Sequence, residues 1–222
     1  MKNTIPLSDP EYLDLARAKE IKKIADENNV GCSILNLSAY SKADLSAIEY
    51  LSKYPYDFVT LGIRNLNPEL ARLLGCWINE PYLMLEELET LDKESAKELC
   101  QGSINLDLKG MDPIPLEIAE ELIKIKGNLG LAFDNISLGM AQILKKHSFS
   151  LSLILLNEPS IEVAIELGQH QGHELFIYRL ANKPSHAFLD ALIKNRNKAI
   201  TFGLAGSPPF CIELRTVVYA AN

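Results

Sequence analysis

Apolar residues recur along the chain in a short phrase that repeats about every 23 residues. Each copy contains two apolar residues separated by one residue, and the spacing from one copy to the next runs from 22 to 25 residues. A fixed period of this length indicates stacked copies of one structural unit. The chain is therefore predicted to be a repeat protein. The second apolar residue of each pair is Leu37, Leu61, Leu85, Leu108, Leu131, Leu153, Ile177 or Phe202.

Each repeat is predicted to contain a short strand followed by a helix. The apolar pair alternates with single residues, which is typical of a strand with one buried face. Ten or eleven residues later an alanine is followed by a leucine, and residues three or four apart share one helical face. These pairs are Ala47 with Leu51, Ala71 with Leu74, Ala96 with Leu99, Ala119 with Leu122, Ala141 with Leu144, Ala164 with Leu167, and Ala187 with Leu192.

The joints between strand and helix carry helix boundary signals. Asn67-Pro68, Ser137 and Ser160 stand where a helix should start, and such residues satisfy the amides of a first helical turn. Gly102, Gly127 and Gly172 follow the helices, where we expect them to close each helix in the left-handed conformation.

The repeat resembles the leucine-rich repeats, and the resemblance covers about residues 33–206. It is carried by phrases such as Leu106-Asp107-Leu108 with Ile118-Ala119 and Leu122. It implies an α/β fold, a bacterial leucine-rich-repeat solenoid of about eight strand-helix rungs, with a parallel sheet on the concave face and helices on the convex face. The asparagine expected three residues after the second leucine is replaced, so no asparagine ladder is predicted and apolar members should join the core. The residues at this position are Tyr40, Arg64, Leu88, Met111, Asp134, Leu156, Leu180 and Ala205.

Segments outside the repeats are expected to close the ends of a single continuous domain. Residues 1–30 show helical spacing of apolar residues and are predicted to form an N-terminal helical cap. Residues 31–206 form the predicted solenoid, and residues 207–222 form a C-terminal cap that could be helix or strand. A dimer through an end of the solenoid is the alternative to a monomer.

Composition and charge favour a protein outside membranes. The 222 residues are 47% hydrophobic and 23% charged, and no apolar run has the length of a membrane span. With 22 basic and 29 acidic residues, the net charge of −7 disfavours nucleic acid as a partner. Acidic residues within positions 1–15 argue against a secretory leader. We therefore expect a cytoplasmic protein, which the resemblance to the bacterial leucine-rich repeats implies is bacterial, with leaderless secretion into a host as the open alternative.

Cysteines and histidines show no strong pattern of a chemical site. The four cysteines, Cys32, Cys76, Cys100 and Cys211, lack zinc-ligand spacing and are expected to be reduced and buried. His170 and His173, with His147 one repeat earlier, are the nearest approach to a metal site, although exposed turn residues are the favoured interpretation. No phosphate-binding or nucleophile motif occurs. No catalytic residue, cofactor or metal ligand is predicted.

Side chains on the outer side of the predicted sheet are the candidates for partner binding. Two apolar clusters emerge, one near Ile34 on the first three repeats and one on the sixth and seventh, with small or polar residues between them. Exposed aromatic residues and methionine are enriched at interfaces. The alternative is that the chain termini cover both clusters. The predicted contact residues are Phe58, Tyr82, Met84, Asp107, Ile154, Phe176 and Tyr178.

The favoured functional hypothesis is a non-enzymatic scaffold that binds a protein or peptide partner on its strand-side concave face. One alternative is a bacterial effector that binds a host protein. Another is a metal-binding protein or enzyme that uses His147, His170 and His173.

Overall fold

The computed structural model describes residues 11–27, 34–180, 184–194, 200–204 and 210–212, without the side chains of 26, 179–180, 203–204 and 210–212. Backbone contacts divide the chain into two compact units, Met1–Met111 and Asp112–Asn222. In both units strands alternate with helices along the chain, so the fold is α/β.

The first unit contains a parallel sheet and four helices within the described residues. Four strands pair in parallel in the order β2-β4-β6-β8, and two further parallel pairs, β1 with β3 and β5 with β7, lie outside this sheet. The elements are β1 (Tyr12–Leu13), α1 (Leu15–Glu27), β2 (Ile34–Leu37), β3 (Lys42–Ala43), α2 (Leu45–Leu51), β4 (Phe58–Leu61), β5 (Asn65–Leu66), α3 (Pro68–Gly75), β6 (Tyr82–Met84), β7 (Thr90–Leu91), α4 (Lys93–Leu99) and β8 (Asn105–Leu108).

The second unit also contains a parallel sheet and four helices within the described residues. Strands β9 to β12 pair in parallel in chain order, and β13 pairs antiparallel with β12. The elements are α5 (Leu116–Leu122), β9 (Leu129–Phe133), α6 (Leu138–Leu144), β10 (Leu151–Leu155), α7 (Ile161–Gly168), β11 (Leu175–Leu180), α8 (His186–Lys194), β12 (Ile200–Leu204) and β13 (Phe210–Ile212).

Strand register brings equivalent residues of successive repeats side by side. Leu35 pairs with Val59, which pairs with Leu83, and Leu83 pairs with Leu106. Both members of all eight predicted apolar pairs are buried. The predicted strand alternation, with one face in the core, is therefore confirmed.

Each helix packs beside the helix of the neighbouring repeat in its unit. In the first unit α1 contacts α2, α2 contacts α3 and α3 contacts α4, and the series α5 to α8 does the same in the second. The predicted alanines are buried in α2 to α7. The prediction is wrong for Ala187, which is exposed, because Phe188 rather than Ala187 lies four residues before the buried Leu192.

The predicted helix starts are confirmed at several joints. The side chain of Asn67 accepts a hydrogen bond from the Leu70 amide at 2.9 Å, and Ser137 and Ser160 cap α6 and α7 in the same way. These side chains satisfy amides that have no partner within the helix.

The glycines after the helices serve a different purpose from the one predicted. Neither Gly102 nor Gly172 adopts a left-handed conformation. A Cβ at Gly102 would lie 1.6 Å from the Gly75 carbonyl oxygen, and one at Gly172 would lie 1.6 Å from that of Phe149. Glycine is required because the backbone of the preceding repeat passes too close for any side chain. The expectation for Gly127 stays a prediction.

The predicted caps are described only in part. Helix α1 packs on α2, while residues 1–10 and 28–33 lie outside the described residues. Of residues 207–222 only β13 is described, so this part of the C-terminal segment is strand. The capping roles, the domain bounds and the oligomeric state stay predictions. Across the described residues, none of the helices combines the length and the apolar character that a membrane span requires.

Candidate functional site

The outer side of the first-unit sheet presents two rows of side chains. Alternation along each strand directs every second residue away from the buried leucines. The pairing of neighbouring strands then aligns these residues across the sheet, with neighbouring strands about 4.8 Å apart. One row is Ile34, Phe58, Tyr82 and Asn105, and the other is Asn36, Thr60, Met84 and Asp107.

Apolar side chains form a continuous surface on three of these strands. Ile34 is 62% exposed and Phe58 is 43% exposed, while Tyr82 and Met84 are half-buried. The Phe58 and Tyr82 rings lie 6.0 Å apart between centroids, with their planes tilted by 40°. The structure thus places the predicted residues Phe58, Tyr82 and Met84 together with Ile34. We call these four residues the first-unit apolar face.

Asp107 ends the second row, and its environment differs from the one predicted. The residue was expected in an exposed polar centre, but it is only 2% exposed. This expectation is wrong because the Asp107 carboxylate forms an ion pair with Lys109 and receives a further hydrogen bond from the side chain of Tyr82. The carboxylate therefore lies beneath neighbouring side chains at the edge of the first-unit apolar face.

Burial dominates the electrostatics of Asp107. Loss of solvent raises the pKa of the carboxyl group above its ordinary value, and the charge of Glu86 raises it further. The hydrogen bond and charge of Lys109 and the hydrogen bond of Tyr82 lower the pKa, but they offset the effect of burial only in part. Oδ1 of Asp107 is buried and has no hydrogen-bond partner among the described residues. The site therefore contains a desolvated acceptor that is incompletely satisfied.

The second unit carries its own cluster of aromatic and aliphatic side chains on β10 and β11. Ile154 pairs directly with Tyr178, and the rings of Phe176 and Tyr178 stack on one strand, 6.0 Å apart with an angle of 4° between their planes. All three side chains are half-buried. The structure therefore places the three predicted residues of this cluster together, and we call them the second-unit apolar face.

Two of the three candidate histidines are buried rather than exposed. Nδ1 of His147 lies 3.0 Å from the Ile123 carbonyl oxygen, and its Nε2 lies 3.1 Å from that of Gly127. The His170 ring stacks on that of His147 at 6.2 Å, with its Nε2 3.0 Å from the Phe149 carbonyl oxygen. The predicted exposure is wrong for both residues because each ring reaches the backbone of the preceding repeat.

The buried imidazoles tie successive repeats together. Burial lowers the pKa of His147, although hydrogen bonds to backbone carbonyls act in the opposite direction. His173, in contrast, is exposed as predicted. In the portion of the chain that the structure describes, no group of three or more His, Cys, Asp or Glu side chains is arranged to hold a metal ion.

The described cysteines divide between surface and core. Cys100 is buried, as expected, whereas Cys76 is exposed at the C-terminal end of α3, so the expectation is wrong there. Neither of these two residues forms a disulfide. Cys32 and the side chain of Cys211 lie outside the described residues.

The ion pair between Asp107 and Lys109 was missed from the sequence, although a signal for it exists. Lys109 stands two residues after Asp107, and in an extended segment residues two apart lie on the same side. A charged pair at the end of β8 could therefore have been noted, but the burial of Asp107 could not, because burial depends on side chains from neighbouring repeats.

No family model, curated protein or solved structure matches this chain. The function of these surfaces must therefore be inferred from their own chemistry.

Proposed function

We propose that the chain is a leucine-rich-repeat solenoid that binds a protein partner, without catalysis, through the first-unit apolar face. The parallel register of equivalent leucines within each unit supports the repeat architecture. The resemblance of the repeats to the leucine-rich repeats supports the choice of family, and the exposed side chains of the sheet are the proposed contact surface.

The single observation that carries the binding proposal is the contiguous exposure of Ile34 and Phe58 beside Tyr82 and Met84. Contiguous apolar surface on a soluble protein commonly marks an interaction site. Tyrosine is also enriched among the residues that dominate binding energy. The four side chains stand on hydrogen-bonded strands, so their backbone is already ordered and binding should cost little conformational entropy.

The second-unit apolar face is a second contact surface of the same kind. Phe176 and Tyr178 stack in parallel, and Ile154 adjoins Tyr178. Because these side chains are half-buried rather than exposed, we expect them to contribute less than the first-unit apolar face.

Selection of random peptides displayed on phage tests this proposal. Twelve-residue peptides selected against the intact chain should bind at least about tenfold more weakly to the double variant Phe58→Ala, Tyr82→Ala, because each side chain supplies buried contact area. Ile161→Ala is the matched control, since Ile161 is an exposed apolar residue on a helix. The variant Phe176→Ala measures the contribution of the second-unit apolar face.

Thermal unfolding of the same variants separates binding from folding. Phe58→Ala alone should unfold within a few degrees of the parent chain, because Phe58 is exposed. The double variant also loses the hydrogen bond from Tyr82 to the buried Asp107 carboxylate, so Tyr82→Phe is measured beside it to account for that loss. Equal binding of the selected peptides by the double variant and the parent chain would contradict the proposal. So would a large loss of stability in Phe58→Ala, which would assign Phe58 to the core.

The histidine alternative lacks comparable support. Both ring nitrogens of His147 face backbone carbonyls at hydrogen-bonding distance. The apolar faces suit a partner from the same cell as well as one from a host. The cytoplasmic location and the effector hypothesis therefore stay predictions.

A further inference from the structure

The first-unit apolar face ends at a buried carboxylate. Met84 pairs with Asp107 across the sheet, so the two side chains occupy neighbouring strands in one row. Leu106 and Leu108 point into the core on either side of Asp107, which places the carboxylate on the outer side of the sheet. A partner that covers Tyr82 and Met84 would therefore reach the surroundings of Asp107 without leaving the sheet.

The carboxylate is poised to accept a further donor. Oδ1 of Asp107 is buried and has no hydrogen-bond partner among the described residues, and Oδ2 contacts the ammonium group of Lys109. The Lys109 side chain is 37% exposed and sits on a flexible stem, so it can move into solvent when an incoming cation takes its place at the carboxylate. Its departure would leave Oδ2 free to accept from an incoming group, while the hydrogen bond from Tyr82 to the carboxylate stays in place.

The charge around the carboxylate favours a cation. Glu86 is exposed and close enough to act electrostatically on Asp107, and Glu87 follows it in the chain. Residues 1–111 contain 18 acidic and 12 basic residues, so they carry −6 of the net charge of −7. An anionic or neutral partner group would leave this negative potential without compensation.

We propose that Asp107 anchors a basic side chain of the protein partner, an arginine or a lysine, whose apolar neighbours lie on the first-unit apolar face. This inference rests on the proposed function of that face. An arginine fits best, because its planar guanidinium group can donate to both carboxylate oxygens at once and replace Lys109. Since Tyr82 and Met84 lie one strand away, the basic residue and an apolar residue must be close together in the partner.

Parallel peptide selections test this inference. The same phage library is selected against the parent chain and against Asp107→Asn, which preserves the shape of the side chain and removes its charge. Library peptides selected against the parent chain should be enriched in Arg and Lys beside apolar residues. Library peptides selected against Asp107→Asn should keep the enrichment in apolar residues and lose the enrichment in Arg and Lys.

A double-mutant cycle then measures the interaction directly. One enriched peptide is synthesised with arginine and with citrulline, a neutral analogue of almost the same shape. Replacement by citrulline should weaken binding to the parent chain at least about tenfold, which corresponds to the free energy that a hydrogen bond to a charged group commonly contributes. The same replacement should change binding to Asp107→Asn by less than about twofold, because the charged partner of the peptide arginine is already missing in that variant.

The outcomes separate the two proposals. Equal effects of citrulline on both proteins, or no excess of basic residues in the parent selection, would overturn the role of Asp107. If Phe58→Ala, Tyr82→Ala still weakens binding at least about tenfold in that case, the proposed binding face stands. If that double variant has no effect either, both proposals fail.

A second variant keeps the inference testable should Asp107→Asn fold poorly. Lys109→Gln removes the resident cation and leaves the carboxylate in place. It should bind the arginine peptide at least as tightly as the parent chain. Weaker binding would show that Lys109 itself makes the contact, which would overturn the inference.

Discussion

At the scale of single residues, burial acts on two ionisable side chains in opposite directions. It raises the pKa of Asp107 and lowers the pKa of His147. The common cause is loss of solvent, which disfavours the charged form of either group. Both side chains therefore link proton binding to the stability of the fold.

We expect the free energy of unfolding to fall as the pH drops below about 6.5, the ordinary pKa of histidine. The unfolded chain binds a proton at His147 more readily than the folded chain does, so acid favours unfolding until both forms are protonated. His147→Gln should unfold more easily at neutral pH by about 1–3 kcal/mol, because the glutamine side chain cannot reproduce the packing of the buried ring against His170. It should also show a shallower pH dependence than the parent chain.

Urea unfolding at pH 7.5, 6.5 and 5.5 measures this effect. The matched control is His173→Gln, because His173 is an exposed histidine one repeat further along the chain. A pH dependence equally steep in His147→Gln and in the parent chain would show that other groups cause the acid sensitivity.

Neither buried ionisable residue could be recognised from the sequence. Asp107 occupies a repeat position that holds Asn36, Thr60 and Met84 in other copies, all of which are at least partly exposed. Its burial arises from Lys109 and Tyr82, and the burial of His147 arises from packing against the preceding repeat. Such environments depend on how far each repeat overlaps its neighbour, which alternation alone does not specify.

At the scale of the elements, the segment between strand and helix differs in structure from one repeat to the next, although the strands and helices recur. Leu88 and Leu156 both stand three residues after the second leucine of their repeats, and both were predicted to join the core. Leu88 is fully buried, which confirms the prediction, whereas Leu156 is 49% exposed, which shows it to be wrong there. After Leu88 the chain forms β7, which pairs with β5, while no strand is found between Leu156 and α7.

This pair supplies a comparison between identical residues at one repeat position. Leu88→Ala should lower the free energy of unfolding by about 2–5 kcal/mol, because it leaves a cavity among buried side chains. Leu156→Ala should change it by less than about 0.5 kcal/mol, since an exposed side chain makes few contacts. Chemical denaturation of both variants under one condition measures the difference. Equal losses would mean that Leu156 is covered in solution.

The strands and most helices were predictable because their signals are local. The apolar pairs determine which strand residues face the core. The alanine and the leucine three or four residues after it determine which face of the helix packs inward. The exception in α8 has the same origin, since Ala187 and Leu192 are five residues apart and cannot share that face. The connecting segments carry no comparable period, so β5 and β7 were not predicted. The two apolar faces were predictable because outward residues follow from the same alternation.

At the scale of the whole molecule, the uneven distribution of charge bears on how a partner arrives. Residues 1–111 hold most of the net negative charge and also carry the first-unit apolar face and Asp107. Long-range fields accelerate the encounter of oppositely charged molecules, whereas a buried ion pair mainly slows their separation. The two effects should therefore appear in different rate constants.

For the arginine peptide proposed above, the association rate constant should fall several-fold when the ionic strength rises from 0.05 to 0.5 M, because salt screens the field within a few ångströms. Asp107→Asn should keep most of this salt dependence, since it removes one of the 18 acidic residues in positions 1–111, but its dissociation rate constant should rise about tenfold. Surface plasmon resonance with immobilised chain measures both constants, and the citrulline peptide is the control for the anchor. If the association rate constant is insensitive to salt while Asp107→Asn still dissociates faster, the ion pair with Asp107 acts alone. The net negative charge of residues 1–111 then has no part in recognition.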